Sequence, residues 1–230
     1  MKISKGSTEY VRYTIKQQNP NPVLVNIPDA VLRTKLTELG WILGDESSDE
    51  CELLEQGLVG TSLNISSTSS WNTINIQDLT GLEAFPKLEE LTLAGLTATS
   101  LDLSSIRTLK TLKINRIQHL VSLKAGENLK DVDFTGYSYD YLDAAQLTIS
   151  GIGIETIKAN SSSYYISYGY ETLATIDVTA CPALKTLQVK REYNRYCYLN
   201  TICVTAAQKS AIDAGILIVE KSNKTEIVVK

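Results

Sequence analysis

An apolar pattern of six residues recurs five times along the middle of the chain and restricts the fold more than any other feature. In each copy the first, fourth and sixth positions are apolar, as in Leu88-Glu89-Glu90-Leu91-Thr92-Leu93, and a shorter apolar pair such as Leu101 and Leu103 follows. The later hexads begin at Leu109, Leu129, Ile154 and Leu184. A period of about 20 residues that lengthens only by insertion is typical of repeat solenoids. We therefore predict one continuous domain of stacked coils.

The alternation within each hexad assigns its side chains to two faces of a strand. Successive side chains of a strand point to opposite faces, so the apolar positions face the coil interior and the residues between them face outward on a concave surface. The shorter apolar pair closes the opposite wall. A coil of about 20 residues has no room for a full-length helix beside a strand and two turns. The sequence therefore predicts a mostly β solenoid, with extended or 3₁₀ structure on its convex side and helices only at its ends.

The residues before the first repeat predict a helical cap. Ile27-Pro28-Asp29-Ala30 opens a short amphipathic helix, with Pro28 in its first turn, and Gly40 ends it. A single amphipathic helix cannot bury its own apolar side, so it must cover the open end of a stack.

The residues after the last repeat predict a second, smaller cap. The sequence favours a short helix at 205–214, followed by strands at 216–220 and 225–229 that pair with one another. Such a pair would shield the last sheet edge from other chains. The predicted organisation is an extension at 1–26, a helical N-terminal cap at 27–59, repeats at 60–206 and an α/β C-terminal cap at 207–230.

Composition excludes several classes of function. The net charge is −4 with both signs mixed along the chain, which argues against nucleic-acid binding. No apolar run approaches the roughly 18 residues that a membrane helix needs. The single histidine, His119, removes most acid–base and triad schemes, and no dinucleotide or phosphate loop is present. Carboxylate pairs such as Asp131 and Asp133 share an exposed face instead of flanking a cleft. We predict a protein that is not an enzyme and has no cofactor.

Metal binding is also disfavoured. The acidic stretch at 44–50 invites a calcium interpretation, but Glu50 stands where a calcium loop needs glycine and Gln56 where it needs glutamate. The four cysteines, Cys51, Cys181, Cys197 and Cys203, lack zinc-site spacing. We interpret them as buried free thiols. A Cys197–Cys203 disulfide is the alternative if the protein is exported.

Three long insertions follow the third, fourth and fifth hexads, and they contain ten of the twelve tyrosines. Because the coils stack, the insertions should line one edge of the solenoid, which is often where repeat proteins bind. Tyrosine interspersed with serine and asparagine is typical of antibody-like contact surfaces. The alternative is that the rings pack on one another only to keep the insertions ordered. The candidate binding residues here are Tyr137, Tyr139, Tyr141, Tyr164, Tyr165, Tyr168, Tyr170, Tyr193 and Tyr196.

The concave face supplies the remaining candidate residues. Lys113, Asp133, Lys158 and Gln188 occupy outward positions of four successive hexads. The face is polar and mixed in charge, and it lacks large apolar anchors, so a solvated surface is the competing interpretation.

The hexads resemble leucine-rich repeats, which implies a right-handed β/β-3₁₀ coil. Three segments are similar to those of internalin-like and related secreted bacterial proteins. They are the segment from Ile76 to Phe85 before the first hexad, the cap segment Ile27-Pro28-Asp29-Ala30 and the segment Ser100-Leu101-Asp102-Leu103-Ser104 after the first hexad. The asparagine that usually follows each hexad is irregular here. The resemblance implies a secreted or cell-surface protein whose leader peptide has been removed, and an adhesive role with a protein or glycan partner. We expect a monomer. The alternative is a structural spacer or assembly module without a ligand.

Overall fold

The protein is a mostly β parallel solenoid of about five turns with few helices. The computed structural model describes residues 21–44, 47–67, 73–115, 117, 119–134, 146–159, 173–189 and 199–230. The repeat solenoid predicted from the hexads is confirmed at this level.

The first elements form a small unit ahead of the repeats. In chain order they are β1 (Leu24–Asn26), α1 (Ala30–Glu38), β2 (Ile42–Leu43), β3 (Glu50–Leu53) and α2 (Glu55–Val59). The three strands make an antiparallel sheet in the order β1-β3-β2. Only helices were predicted here, and β1 lies within the predicted N-terminal extension, so this small sheet is a correction to the prediction.

The solenoid alternates between two sheets. Its strands are β4 (Ser62–Ser66), β5 (Glu90–Ala94), β6 (Ser100–Leu103), β7 (Thr111–Asn115), β8 (Ser122–Ala125), β9 (Asp131–Asp133), β10 (Gln146–Ser150), β11 (Thr156–Lys158), β12 (Thr175–Ala180), β13 (Thr186–Gln188), β14 (Thr201–Val204), β15 (Ile218–Glu220) and β16 (Glu226–Val229). A 3₁₀ helix at Leu82–Ala84 precedes β5, and helix α3 (Ala206–Asp213) precedes β15.

From β5 onward, each turn of the solenoid contributes one strand to each sheet. The seven-stranded sheet has the order β15-β13-β11-β9-β7-β5-β4, and the six-stranded sheet has the order β16-β14-β12-β10-β8-β6. All neighbouring strands within both sheets run parallel. Hydrogen bonds between turns therefore replace the local hairpin contacts that are common in other β proteins.

The hexad positions form the core, as the periodicity predicts. The fourth positions lie side by side in register across five strands and are at most 1% exposed; they are Leu91, Leu112, Val132, Ile157 and Leu187. Burying each such side chain stabilises the fold by about 1.5–3 kcal/mol. The interior is thus a set of parallel apolar rows, each residue packed on its equivalent in the next turn.

One register differs from the repeat alignment. An alignment of the apolar pairs that follow successive hexads matches Leu147 with Leu123 and Ile149 with Ala125. In the structure Ile149 pairs with Leu123, and Gly151 approaches Ala125 so closely that an added Cβ would lie 2.8 Å from the alanine methyl. The insertion before β10 therefore moves the matching residues by two positions, a shift that keeps the same side chains pointing inward.

Asp29 joins helix α1 to the start of the solenoid. Its Oδ1 accepts hydrogen bonds from the backbone N–H groups of Val31 and Leu32 at 3.0 and 2.9 Å. Its Oδ2 accepts from those of Gln77 and Asp78 at 2.9 and 3.2 Å. Asp29 is therefore the N-cap residue and Pro28 lies before it, which corrects the prediction that the proline occupies the first helical turn.

We expect Asp29→Ala to lower the free energy of unfolding by about 2–3 kcal/mol, because it removes a helix cap and two further charge-assisted hydrogen bonds. Partial burial raises the pKa of the Asp29 carboxyl, but the backbone donors, Gln77 first, outweigh this and lower the pKa overall. Urea denaturation measures the loss. Asp29→Asn, which keeps one acceptor oxygen, should lose about half as much; an alanine variant as stable as the parent would contradict the assignment.

The C-terminal strands do not pair with one another as predicted. Strand β15 pairs in parallel with β13 in one sheet, and β16 pairs in parallel with β14 in the other. Helix α3 connects the two sheets here, and its buried Gln208 donates hydrogen bonds to the carbonyl oxygens of Val178 and Cys181, both at 2.9 Å. The last residues therefore continue the coil, and they leave β15 and β16 as the outermost described strands of the two sheets.

Candidate functional site

The outer face of the seven-stranded sheet brings four predicted site residues into one row. Lys113 pairs in register with Asp133, Asp133 with Lys158, and Lys158 with Gln188. Neighbouring strands lie about 4.8 Å apart, so opposite charges alternate along the row at that spacing. At the end of the row the Gln188 amide donates to Glu220 Oε1 at 3.2 Å. This row is polar and extended, and it provides hydrogen-bonding groups at regular intervals.

A parallel row on the same face is also polar. Its members share the outward position two residues before the first row, and in register they are Ser62, Glu90, Thr111, Asp131, Thr156, Thr186 and Ile218. Hydroxyl and carboxylate groups dominate, and only Ile218 at the end is apolar. The two rows together make a hydrophilic surface suited to hydrogen-bonding partners.

A charged ladder borders this face where the strands begin. Lys110 contacts Glu89 at 2.6 Å, and Glu155 contacts both Lys185 at 2.5 Å and Lys130 at 3.3 Å. Hydrogen bonds from Lys185 and then Lys130 lower the pKa of Glu155. Because these groups are exposed, each pair adds little stability. The second position of every hexad is charged. This pattern is a sequence signal for the ladder, whose residues were not among the predicted site residues.

A shallow cavity of about 520 Å³ lies beside the ladder. Its lining carries four cations and one carboxylate, Lys87, Arg107, Lys110, Lys130 and Glu89, together with Thr61, Pro86, Thr108 and Asn128. Within the described part of the chain, neither Lys87 nor Arg107 makes an ion pair. A protein with a net charge of −4 therefore has a locally basic concavity, which the sequence analysis did not predict.

The nine candidate tyrosines lie outside the described residues, in segments 135–145, 160–172 and 190–198. The strands that these segments connect are described. The segments follow β9, β11 and β13, which are neighbours in the seven-stranded sheet, and they lead into β10, β12 and β14, which are neighbours in the six-stranded sheet. Both attachment points of each segment therefore stand beside those of the next, on one edge of the solenoid.

The outer face of the six-stranded sheet contains a carboxylate with a strongly lowered pKa. The Ser104 hydroxyl and backbone N–H both donate to Asp102 Oδ1, at 2.5 and 2.9 Å, and Lys124 contacts Oδ2 at 2.9 Å. These hydrogen bonds, led by the Ser104 hydroxyl, lower the pKa of Asp102 from 3.8 to about 2. The carboxylate is held in its ionised form, and both of its oxygens already accept hydrogen bonds from Ser104 and Lys124, so it does not serve as a general acid.

We expect Ser104→Ala to raise the pKa of Asp102 toward 3.8, because the hydroxyl is the largest stabilising contact of the ionised form. A folded-state pKa below the usual value means that this carboxylate stabilises the fold above about pH 4 and that the contribution disappears as the pH falls through 2. Carboxyl-carbon NMR titration measures the change. The neighbouring Ser105→Ala should leave the pKa of Asp102 unchanged; an equal shift in both variants would contradict this role.

The described cysteines, Cys51, Cys181 and Cys203, are all buried. Cys203 has a free thiol, and Cys197 lies outside the described residues. Cys181 donates a hydrogen bond to the Ile149 carbonyl oxygen at 3.3 Å, and burial raises its pKa to about 12. This thiol is a packing group and is unsuited to nucleophilic chemistry.

We expect Cys181 to resist alkylation in the folded protein, because at pH 8 only about one thiol in 10⁴ with this pKa is ionised and the sulfur is inaccessible. Iodoacetamide labelling followed by peptide mass spectrometry measures the rate. The same protein in guanidinium chloride should label readily at this position. Fast labelling of Cys181 under native conditions would show that the thiol is neither buried nor protonated.

Among the described residues, no cluster of three or more histidine, cysteine or acidic side chains is arranged to hold a metal ion. The helices described here are all too short or too polar to cross a membrane.

No protein-family model matches the chain, and a search of curated proteins finds no match.

Proposed function

We propose that this protein is a non-catalytic recognition scaffold that binds a protein or a glycan. The binding surface would combine the tyrosine-rich segments 135–145, 160–172 and 190–198 with the outward row Lys113, Asp133, Lys158 and Gln188. The observation that carries the proposal is the attachment of all three segments to adjacent strands at one edge of the solenoid. Asp133, Lys158 and Gln188 each lie two residues before one of the segments, so in this proposal the row and the segments would form one continuous surface.

The chemistry of the two parts supports a recognition role. Tyrosine offers a large and rigid contact area at low cost in conformational entropy, with a hydroxyl for hydrogen bonding. Such rings anchor proteins, and they also stack on sugar rings. The outward row adds charges and amides at about 4.8 Å intervals, which suits a partner with its own regularly spaced polar groups.

We further propose that the coils are of the leucine-rich-repeat type and that the protein is internalin-like, bacterial and exported. Three buried apolar positions per hexad support the repeat type, with two of them inward on the seven-stranded sheet. The elements preceding the repeats would serve as an N-terminal cap, since they pack against the first coil through Trp41 and Phe85. Cell fractionation of the source organism tests the location; a protein found only in the cytosol would refute export.

A structural spacer is the second candidate function. Ion pairs connect successive turns along both sheets, as between Glu89 and Lys110 or between Asp102 and Lys124. The backbone hydrogen bonds between successive turns, to which these exposed pairs add a little, hold the stack together without a ligand. In this role the tyrosines would only pack against one another.

A variant with alanine at Tyr164, Tyr165, Tyr168 and Tyr170 distinguishes the two candidates. The recognition proposal predicts that the parent binds members of a broad glycan panel or captures a protein, and that this variant loses at least tenfold in affinity while it keeps its melting temperature. The measurement is array binding followed by calorimetry, with circular dichroism as the folding check.

Two controls sharpen this experiment. Phenylalanine at the same four positions keeps the rings and should keep most of the affinity if stacking dominates. Lys158→Ala tests whether the outward row belongs to the same surface. The spacer role would be favoured if the four-alanine variant melts well below the parent and neither the parent nor the variant binds a glycan or a protein.

A further inference from the structure

The basic concavity beside the charged ladder has more positive charge than its own carboxylate neutralises. Four cations line it, Lys87, Arg107, Lys110 and Lys130, against the single carboxylate of Glu89. Glu89 pairs with Lys110 at 2.6 Å. Among the described residues, no carboxylate forms an ion pair with Lys87 or Arg107. Two cations therefore line this concavity with their charge available to a ligand.

Stacking places the two lysines of the ladder next to each other. The Lys130 backbone N–H donates to the Lys110 carbonyl oxygen at 2.9 Å, so the two residues occupy equivalent positions of neighbouring turns, about 4.8 Å apart. Lys110 contacts Glu89 in the preceding turn, and Lys130 contacts Glu155 in the following turn at 3.3 Å. Neighbouring like charges repel each other, so an anion bound beside both lysines would be stabilised by both.

The turn that carries Arg107 is held by hydrogen bonds of its backbone. The Asn128 side-chain Nδ2 donates to the Arg107 carbonyl oxygen at 2.8 Å, and the Arg107 N–H donates to the Ser105 carbonyl oxygen at 3.0 Å. The arginine itself is exposed. A guanidinium binds an oxyanion such as sulfate or phosphate through two parallel N–H···O bonds. Arg107 is therefore placed to hold such a group at the mouth of the concavity.

The other lining residues indicate which class of ligand carries the oxyanion. The volume of about 520 Å³ is within the range of about 300–1,000 Å³ that is usual for sites of small organic ligands. Thr61 and Thr108 offer hydroxyls, and Asn128 keeps one amide N–H and its oxygen, which are the partners that sugar hydroxyls need. None of the described lining residues is aromatic, so none would stack on a nucleobase. The lining favours an acidic saccharide over a nucleotide.

A second concavity, of about 440 Å³, adjoins the first at Arg107. Arg107 lines both, and the second also contains Lys124, Glu127, Ser104 and Ser150. Its charges are mixed and its hydroxyls are suited to neutral polar groups. A ligand longer than one sugar could therefore place its oxyanion in the basic concavity and extend past Arg107 into the second one.

We propose that the basic concavity binds an acidic oligosaccharide, with oxyanion groups paired to Arg107 and Lys87. The turns that form it, 104–110 and 126–130, lead from the six-stranded sheet into the seven-stranded sheet, whereas the tyrosine-rich segments lead in the other direction. The site therefore lies on the opposite edge of the coils and shares no residue with the binding surface proposed above. It goes beyond that function and does not depend on it.

Isothermal titration calorimetry with a dextran sulfate oligosaccharide tests the site, with neutral dextran of the same length as the matched probe. We expect the sulfated probe to bind and the neutral one to give no signal. Arg107→Ala should weaken binding by about tenfold or more, because it removes a charge-assisted bidentate contact. Arg107→Lys keeps the charge without the planar fork and should bind with intermediate affinity. Because Arg107 is exposed, both variants should melt with the parent.

Two controls separate this site from general charge and from the tyrosine-rich edge. Lys209→Ala removes one positive charge from helix α3, near the other end of the stack, and should bind like the parent. The variant with alanine at Tyr164, Tyr165, Tyr168 and Tyr170 should also keep its affinity for the sulfated probe. Failure of the tyrosine-based proposal and failure of this one would therefore give different results.

Four outcomes would overturn the proposal. The first is a parent that does not bind the sulfated probe. The second is an equal loss of affinity in Lys209→Ala and Arg107→Ala, which would show that only overall charge matters. The third is an oligothymidylate of equal charge that binds as tightly as the saccharide. The fourth is displacement of the saccharide by an equal concentration of inorganic sulfate, which would show that the concavity holds a free ion only.

Discussion

Gly153→Ala is expected to destabilise the protein by at least about 3 kcal/mol, because the turn at Gly153 lies directly on the backbone of the preceding turn. A Cβ at this position would clash with the carbonyl oxygen of Glu127, and would come within 2.9 Å of its carbonyl carbon and 3.3 Å of the Leu129 oxygen. Backbone atoms cannot move aside as a flexible side chain can. The two turns would have to separate, which would disturb the pairing of β9 with β11.

Urea denaturation of the Gly153 variant gives the loss directly from the shift in midpoint. The adjacent Ile152→Ala is a matched control, because Ile152 is 68% exposed and its truncation should change the free energy of unfolding by no more than about 0.5 kcal/mol. A glycine variant with an unchanged midpoint would show that the turns are not in such close contact.

Phe85→Ala is expected to cost about 3–5 kcal/mol, since it removes a large, fully buried ring. The Phe85 ring meets that of Trp41 edge to face, with centroids 5.1 Å apart. Gly57 lies against the same ring, where an added Cβ would be 3.1 Å from Phe85 Cε1. The substitution therefore opens a cavity between the N-terminal unit and the first coil.

The fluorescence of Trp41 reports this change separately from global stability. In a Trp71→Phe background, which leaves Trp41 as the single tryptophan, Phe85→Ala should shift the emission to longer wavelength at urea concentrations where the solenoid remains folded. Phe85→Leu fills most of the space and should cost no more than about 1.5 kcal/mol. A single transition in both variants, with no early change in emission, would mean that the N-terminal unit and the coils unfold together.

The repeats were predictable because a solenoid depends on contacts between equivalent positions. Leu91 and Leu112 occupy the same place in successive hexads, so the period alone predicts that they stack, and the registers confirm it. In a solenoid the long-range contacts join equivalent positions of successive repeats, so the sequence period predicts them.

The two ends were harder to predict because local pattern does not identify a strand's partner. Residues 216–220 and 225–229 have the spacing of a hairpin, yet each strand completes a different sheet. Residues 50–53 lie within the predicted helical cap at 27–59, whereas Cys51 and Leu53 are buried in the alternating pattern of β3. In both cases the neighbouring element, which a short window does not contain, decides the structure.

The candidate site was predictable in part. The outward positions of Lys113, Asp133, Lys158 and Gln188 follow from strand alternation, and the structure places them in one row. The basic concavity at Arg107 was missed, because it assembles residues from the turns of three coils. Only stacking brings those turns together. The role of the tyrosine-rich segments stays a prediction.

The parallel register of the turns has a mechanical consequence. Backbone hydrogen bonds between neighbouring strands, such as that from Lys130 N–H to the Lys110 oxygen at 2.9 Å, point along the axis on which the turns are stacked. A pulling force applied between the two ends would act on these bonds in line, one turn after another, instead of shearing a whole row at once. The stack would then lengthen coil by coil at modest force and absorb extension gradually under tension.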